Sequence, residues 1–195
     1  MFPMLALFIV FLLVLAYFRR KSDAAQAKVD EAFWSKEREA NATRRKNLDE
    51  LHYITIPVEK LPLDLDTPAC QTIRQLTQKR LFNAGGMTNT ELKLAYGAAN
   101  LEALSEYESD YIRLEQALDT CAGELLEKDR ASDAAAILEF AVSTGSDVGH
   151  IYLTLAEIYK EQQKTDQIPA LIDAAKQIPT LNRKPFLDRM ENCLS

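Results

Sequence analysis

The sequence predicts an all-α protein held at a membrane, with a single N-terminal transmembrane helix, a juxtamembrane helix, an extended proline-containing segment and a solenoid of helical hairpins. Three observations predict this class. An uncharged apolar run lies near the N-terminus, apolar residues in the second half recur at one fixed interval, and the 195 residues include only 6 glycines and 7 prolines. So few glycines and prolines favour long helices over a turn-rich β architecture. The length suits one domain besides an anchor.

Residues 1–21 are the predicted anchor, which makes the lipid bilayer the first expected partner. The run from Phe2 to Phe18 has no charged residue. A helix of that length spans roughly 25 Å, against about 30 Å for the hydrocarbon core of a bilayer. The side chains of Arg19, Arg20 and Lys21 can reach the lipid headgroups and make up the difference.

The alternative for this segment is a cleaved signal peptide, which carries positive charge before its apolar run and a small-residue cleavage site soon after it. Here the positive charge follows the run, and the nearest A-x-A pattern, at 25–27, lies behind a charged stretch. An uncleaved anchor is favoured. An interfacial helix is disfavoured because the segment has no polar face.

The charge flanking the apolar run also predicts an orientation. Because Lys and Arg lie only on its C-terminal side, the positive-inside rule places the N-terminus outside and all that follows in the cytoplasm. The protein is therefore predicted to be a single-pass protein of the cell membrane. A glycosylation sequon at 41–43 would then never meet the glycosylation machinery. Three scattered cysteines agree with a reducing compartment, the alternative being a disulfide or a metal ligand set; they are Cys70, Cys121 and Cys193.

The net charge of −6 is divided unevenly along the chain. Residues 19–46 carry nine Lys/Arg against five Asp/Glu, whereas residues 47–195 carry fourteen against twenty-four. The distal part is strongly acidic, which argues against binding to nucleic acid because phosphates need a positive surface. A protein partner is expected to offer a basic or neutral segment.

Two segments are predicted between the anchor and the helical domain. Residues 22–46 form the juxtamembrane helix, whose last basic cluster, 44–46, is either a lipid-binding patch or, as we prefer, part of a solvated helix face. Residues 47–67 are extended, because Pro57 and Pro62 forbid a continuous helix and the neighbouring apolar residues favour strand-like backbone. The apolar strip at 51–68 is expected to pack along a groove of the helical domain; a docking motif for another protein is the alternative.

Helices fill the predicted domain at 68–195. Thr67-Pro68 opens the first helix, which is expected to end at the glycines near 83–86. Thr88 and Glu91 have the spacing of a capping box and open the second. Its boundary with the third helix is placed within 105–110. Residues 185–194 are predicted to be a capping helix that shields the last hairpin.

The most informative feature of this domain is an internal match at an offset of 34 residues, clearest within 115–180. Small residues at some of these positions let helices approach closely, while large ones fill the spaces between them. Four positions in one helix and three in the next share the offset: Leu118, Cys121, Ala122 and Leu125 match Tyr152, Leu155, Ala156 and Tyr159, and Ala134, Leu138 and Ala141 match Ile168, Ile172 and Ala175.

The period and these residues resemble the tetratricopeptide repeat (TPR) family. Tyr152, Leu155, Ala156 and Tyr159 are similar to the first-helix pattern of that family, and Ala175 occupies the place of its second-helix alanine. Ile168 replaces a small residue, and Pro179 lies one place short of the usual terminal proline. The resemblance implies a TPR-like α-hairpin solenoid with a concave groove for a peptide or helix of a partner protein. The whole layout is also similar to bacterial membrane-anchored repeat proteins, which implies no activity.

No motif in the chain indicates catalysis, a cofactor or a metal. The phosphate-binding loop, HExxH, GxSxG and paired-cysteine patterns are all missing from the sequence, and His150 is expected to be an exposed residue in the first turn of a helix. The chain is therefore predicted not to be an enzyme. The predicted function is a membrane-anchored interaction scaffold that faces the cytoplasm. The alternative is a structural subunit of a membrane complex whose groove is filled by its own strip at 51–68. The oligomeric state is left open.

Overall fold

The computed structural model describes residues 2–178 and 180–194, with side chains from residue 8 onward except at position 25. Pro179, which departs from the repeat pattern, lies outside this part of the chain. The described residues form helices joined by loops and short 3₁₀ turns and contain no β-strand, which confirms the predicted all-α class. The helices are α1 (Phe2–Ala42), α2 (Pro68–Leu76), α3 (Asn89–Tyr96), α4 (Leu101–Leu126), α5 (Ala131–Ser143), α6 (Gly149–Glu161), α7 (Ile168–Gln177) and α8 (Lys184–Glu191).

The chain divides into two compact units. The first contains the residues up to Asn47 together with Thr88–Leu101, and the second contains Leu48–Met87 and the residues from Glu102 onward. The sequence predicted one helical domain from residue 68 to the end. The structure instead assigns residues 88–101 to the first unit, because their long-range hydrogen bonds are to residues of the N-terminal part of the chain.

Helix α1 is continuous where the sequence predicted a transmembrane helix followed by a separate juxtamembrane helix. Ser22 and Asp23 do not interrupt it, and it ends at Ala42 rather than near Lys46. Arg19, Arg20 and Lys21 are exposed on its surface. Within the predicted transmembrane run, side chains are described only from residue 8 onward. In the part of the chain with described side chains, no helix is both long and apolar enough to cross a membrane.

In the first unit, α3 packs against the C-terminal part of α1. Glu37 on α1 forms an ion pair with Lys93 and accepts a 2.7 Å hydrogen bond from the Thr90 hydroxyl. The Lys93 ammonium next to it lowers the pKa of Glu37. The predicted capping box at the start of α3 is confirmed, with Thr88 Oγ1 accepting from the Glu91 backbone N–H and the Glu91 carboxylate accepting from that of Thr88.

A buried amide joins the end of this unit to the segment that follows α1. Asn100, which is 1% exposed, donates from Nδ2 to the backbone oxygens of Lys46 (2.8 Å) and Tyr96 (2.7 Å). Its Oδ1 accepts a 3.0 Å hydrogen bond from Arg45 Nε. The basic residues 44–46 are thus outside the helix, and Arg45 is committed to a structural contact.

In the second unit, one hydrophobic core joins α2 and α4–α8. Helix α5 packs against α6, and α6 against α7 and α8. The turns after α4 and α6 have the same backbone geometry. Asp129 and Gln163 both have positive φ angles, 58° and 59°, and in each turn the next residue donates its N–H to an oxygen five residues earlier, over 3.0 Å for Arg130 and 2.8 Å for Lys164. Equivalent residues of the two turns are 34 positions apart.

The predicted helix boundaries are right at some points and wrong at others. Thr67 caps α2 with Pro68 in its first turn, and α8 lies where the capping helix was expected. However, α2 ends at Leu76, well before the glycines at 85 and 86, which lie in the following loop. The boundary placed within 105–110 is wrong because α4 runs unbroken through it. The break instead falls at Gly97, whose φ of 93° ends α3.

The segment at 51–68 lies against the helices of its own unit. It is mostly extended, with one 3₁₀ turn at Val58–Lys60 and one bridge pair between Ile54 and Leu81. Ile56, Leu61 and Leu63 are buried in the same core as the helices.

Two arginines fasten this strip. Arg130 makes two hydrogen bonds of 2.8 Å to the carboxylate of Asp64, and Arg74 donates to the Leu63 carbonyl oxygen. Asp66, two positions further on, is also engaged, because its carboxylate accepts a 2.9 Å hydrogen bond from the Gln71 side chain. The strip is a built-in part of the second unit.

Candidate functional site

The second unit contains a cavity of about 410 Å³ with a strongly acidic wall. This volume lies within the range of small-ligand and side-chain pockets. Helix α4 forms one side, and three connecting segments complete it: the loop after Leu81, the turn between α5 and α6, and the residues at and after the end of α7. The lining residues are Asn83, Gly85, Gly86, Glu108, Tyr111, Ile112, Glu115, Gly145, Asp147, Gln177, Ile178 and Thr180.

Asn83 holds two of these segments together. Its Nδ2 donates to the backbone oxygens of Thr144 and Gly145, both at 3.0 Å, and its Oδ1 accepts from the Gly85 N–H at 2.7 Å. Asparagine suits this position because its side chain can hydrogen-bond nearby backbone and so substitute for a turn hydrogen bond. The Tyr111 hydroxyl lies 3.2 Å from Asn83 Nδ2. Helix α4 and both loops are thereby fixed relative to one another.

Glu115 is the unusual residue of the cavity. Its side chain comes from the inner face of α4 and is 5% exposed. Its Oε1 atom has no hydrogen-bond partner among the described residues. Burial raises the pKa of Glu115, hydrogen bonds with Ser146 and Tyr111 oppose that rise, and the charge of Asp147 adds to it. Buried polar groups in folded proteins are nearly always hydrogen-bonded, so an unpartnered carboxylate oxygen in a cavity wall requires an explanation.

The electrostatics of the cavity favour a cation. Its described lining contains three carboxylic acids, Glu108, Glu115 and Asp147, and no Lys, Arg or His. Burial raises the pKa of Glu108 as well. Of the three acids, Glu115 is buried, Glu108 is half-buried and Asp147 is exposed at the cavity. A positive group stabilises such a cluster because it ionises the acids and donates hydrogen bonds to them. Ile112 and Ile178 supply apolar surface for a hydrocarbon stem, so an ammonium or guanidinium group on an aliphatic chain matches the lining.

The residues singled out in the sequence lie elsewhere. All nine predicted packing residues are buried in the hydrophobic core of α4, α5, α6 and α7, and none of them lines the cavity. They are Leu118, Ala122, Leu125, Ala141, Tyr152, Leu155, Ala156, Tyr159 and Ala175. Tyr152 is completely buried, its hydroxyl donates to the Ser146 backbone oxygen at 2.9 Å, and burial raises its pKa to about 12.

Sequence reasoning missed the cavity residues, although one signal was present. Helix α4 has a stripe of buried residues spaced three or four positions apart, and Glu115 lies within it. The stripe contains Tyr111, Leu114, Glu115, Leu118 and Ala122. A glutamate within such an apolar stripe is unusual, because ionisable side chains are rarely buried without a partner. Asn83 and Asp147 gave no comparable signal, since their loops come together only in the fold.

Two other groups of polar side chains are brought together. His150 lies on the surface of α6 with Nδ1 2.7 Å from Asp119 Oδ1 and Nε2 3.4 Å from Thr154 Oγ1. It is exposed, as expected, and lies outside the acidic cavity. Cys70, Cys121 and Glu124 form the second group, with ligand atoms within 4.8 Å of one another. Nothing in the sequence indicated that two of the three cysteines would lie together.

Comparison of the chain with protein-family models, with curated proteins and with solved structures gives no match.

Proposed function

We propose that this protein is a membrane-anchored helical scaffold that binds a basic segment of a partner protein, with one lysine or arginine side chain of that segment inserted into the acidic cavity. The anchor is residues 1–21, and the helical part faces the cytoplasm. The observation that carries the proposal is the buried Glu115 carboxylate, whose Oε1 lacks a hydrogen-bond partner among the described residues. An inserted cation would donate to this oxygen and neutralise the acidic wall.

Several features support a scaffold. The turns after α4 and α6 share one geometry at an offset of 34 residues, the same offset as the apolar match in the sequence. This agreement favours a TPR-like pair of hairpins, an architecture that commonly binds peptide segments. No residue of the strip at 51–68 is among the described lining of the cavity, which leaves the cavity open to a partner.

The proposed anchor is supported by the surface of α1. From Phe8 to Phe18 its large apolar side chains are exposed on every side, by 46% for Val14 and 65% for Leu13. Such a surface is favourable in lipid and unfavourable in water. The one-sided basic flank at 19–21 supports the cytoplasmic orientation.

The proposal can be tested by measuring peptide binding to the full-length protein in detergent micelles. The probes are a short lysine-containing peptide and the same peptide with norleucine, which has an uncharged side chain of similar shape, in place of lysine. We expect the lysine peptide to bind more tightly, and added salt to weaken it. The variant Glu115→Gln should lower its affinity by about tenfold or more, because a buried charge pair loses one partner.

Glu102→Gln is the matched control, since Glu102 is an exposed glutamate on the same helix. It changes the net charge equally but should leave the affinity nearly unchanged. Equal losses in the two variants would mean that only overall charge matters, and equal binding of both peptides would exclude a cation site.

The second candidate function, a structural subunit, is favoured by the strip at 51–68. Three of its apolar side chains are built into the core, and Asp64 is held by Arg130. Deletion of residues 51–66 tests what the strip contributes. If the deletion unfolds the second unit, the strip is structural. If the unit stays folded and gains peptide binding, the strip instead competes for a partner's site.

A further inference from the structure

Two of the three cysteines lie side by side in the core of the second unit. The Sγ atoms of Cys70 and Cys121 are 3.0 Å apart, and both residues are completely buried. Cys70 is in the first turn of α2, where its backbone N–H donates to the Thr67 hydroxyl. Cys121 projects from the C-terminal part of α4. Residues 51 positions apart are thus joined through one sulfur–sulfur contact.

The surroundings favour a covalent bond between the sulfurs over a metal. Glu124 is the only other described ligand near the pair, whereas structural zinc sites use four protein ligands. The Glu124 carboxylate already accepts a 2.7 Å hydrogen bond from the Thr67 hydroxyl. Burial raises the pKa of Cys121, and the neighbouring Cys70 raises it further. A metal would need both sulfurs deprotonated in this apolar site, whereas a disulfide is neutral.

We propose that Cys70 and Cys121 are a redox pair that closes to an intramolecular disulfide in the presence of a small-molecule disulfide such as oxidised glutathione. One cysteine thiolate attacks the glutathione disulfide, releasing one glutathione thiol and leaving a mixed disulfide on the protein. The second cysteine then attacks the protein sulfur of that mixed disulfide and releases the second glutathione. In total the protein loses two electrons and two protons, and the oxidant becomes two thiols.

The bond would fasten one side of the second unit. It joins α2, which follows directly on the strip at 51–68, to α4, which carries the Glu115 wall of the cavity. A disulfide that closes a long loop stabilises mainly by restricting the unfolded chain. In a reducing cytoplasm the resting state is the dithiol, and the bond marks exposure to oxidant. Because both sulfurs are buried, oxidation requires α2 to move away briefly and is slow in the folded chain.

Mass spectrometry of the full-length protein in detergent tests this inference. The reduced chain is treated with oxidised glutathione, remaining thiols are blocked with N-ethylmaleimide, and both the intact protein and its protease digest are measured. We expect a chain lighter by two hydrogens, with one blocked thiol, and a linked pair of peptides containing Cys70 and Cys121. Low urea should speed the reaction by opening α2. The oxidised form should unfold at a higher denaturant concentration than the reduced form.

Cys193→Ala should leave the bond unchanged, because this half-buried cysteine lies in the 3₁₀ turn after α8. Cys70→Ala or Cys121→Ala should abolish it. The linked peptide from the unaltered sequence decides the matter even if an alanine variant fails to fold. The inference is overturned if refolding in a glutathione redox buffer yields only glutathione adducts, or if the bond forms to Cys193. It is also overturned if a bound metal, removable by a chelator, protects both thiols from oxidation.

Discussion

At the scale of single residues, Glu115 is where stability and binding are in conflict. A glutamate that is 5% exposed has lost most of its hydration, and its Oε1 has no partner in the described part of the chain to replace the lost water. A buried group in this state costs about 1 to 3 kcal/mol of folding free energy. A bound cation would offset that cost, so the penalty would be largest in the unliganded protein. Under the proposed function, the physical role of Glu115 is recognition rather than folding.

This conflict predicts the pH dependence of stability. Burial raises the pKa of Glu115 in the folded chain, whereas in the unfolded chain the pKa has its ordinary value of 4.5. Above pH 4.5 the folded state therefore keeps a proton that the unfolded state has released. Between the two pKa values the unfolded state binds fewer protons, so stability falls as pH rises. Glu115→Gln removes this loss. Denaturant unfolding from pH 4 to pH 8 should show the variant gaining on the unaltered protein as pH rises, by about 1 to 3 kcal/mol at the upper end.

Glu102→Gln again serves as the control, because Glu102 is exposed on the same helix. If the stability difference between Glu115→Gln and the unaltered protein stayed constant across that pH range, Glu115 would not titrate abnormally and the account of the cavity would fail.

At the scale of elements, the first unit depends on one glycine at the end of α3. Gly97 has a φ of 93°, and a Cβ atom added to it would lie 2.7 Å from the Cα of Arg45 and closer still to the backbone oxygen of Arg44. Backbone atoms cannot move aside as a flexible side chain can. The neighbouring hydrogen bond from the Lys46 N–H to the Tyr96 oxygen, at 3.0 Å, requires the same close approach. Gly97 therefore both ends α3 and admits the segment after α1.

The change Gly97→Ala should separate these two segments, and Gly86→Ala is its matched control. Both glycines have positive φ, which costs a residue with a side chain about 1 to 3 kcal/mol, but nothing lies within 4 Å of a Cβ built on Gly86. Hydrogen–deuterium exchange should therefore speed up at 43–47 and 89–100 in Gly97→Ala only. Similar exchange in both variants would show that φ strain, and not the close approach, is what matters at Gly97.

Some helix boundaries could be predicted from the sequence and others could not. The starts of α2 and α3 were predictable because their capping signals are local, Thr67 with Pro68 and Thr88 with Glu91. The boundary placed within 105–110 failed because polar residues there pair with partners outside the local sequence. Asp110, for example, is buried and forms an ion pair with Lys79, which lies outside α4, in addition to its local pair with Arg113.

Longer-range features left little trace in the sequence. Asn100 forms hydrogen bonds with Arg45 and Lys46, which are 55 and 54 positions away in the chain. No local sequence pattern predicts such contacts. The acidic cavity combines four separate segments. Of its lining residues, only Glu115 was recognisable in the sequence, as a charged residue in an apolar stripe. The Cys70–Cys121 contact depends on how α2 lies against α4. The secondary structure was therefore more predictable than the contacts that create the site.

At the scale of the whole molecule, the uneven charge distribution fits the proposed arrangement. Residues 19–46 carry nine Lys/Arg against five Asp/Glu, and the rest of the chain after them carries fourteen against twenty-four. In the proposed orientation, a basic segment next to the proposed anchor would be attracted to the anionic lipids of the cytoplasmic leaflet, whereas the acidic remainder would be repelled by them. The repulsion would keep the acidic surface free for a basic partner. Orientation and recognition are thus linked through the same charge distribution.

The orientation can be tested with the sequon at 41–43. Asn41 is exposed near the end of α1, so it would be glycosylated if that end of the helix entered the lumen of endoplasmic-reticulum microsomes. The unaltered chain translated with microsomes should stay unglycosylated. A variant with glutamine at positions 19–21 and two lysines inserted before Phe2 should invert under the positive-inside rule and gain an endoglycosidase-sensitive glycan. Adding Asn41→Gln to that variant should remove the glycan. A glycan on the unaltered chain would reverse the proposed orientation and place the acidic cavity outside the cytoplasm.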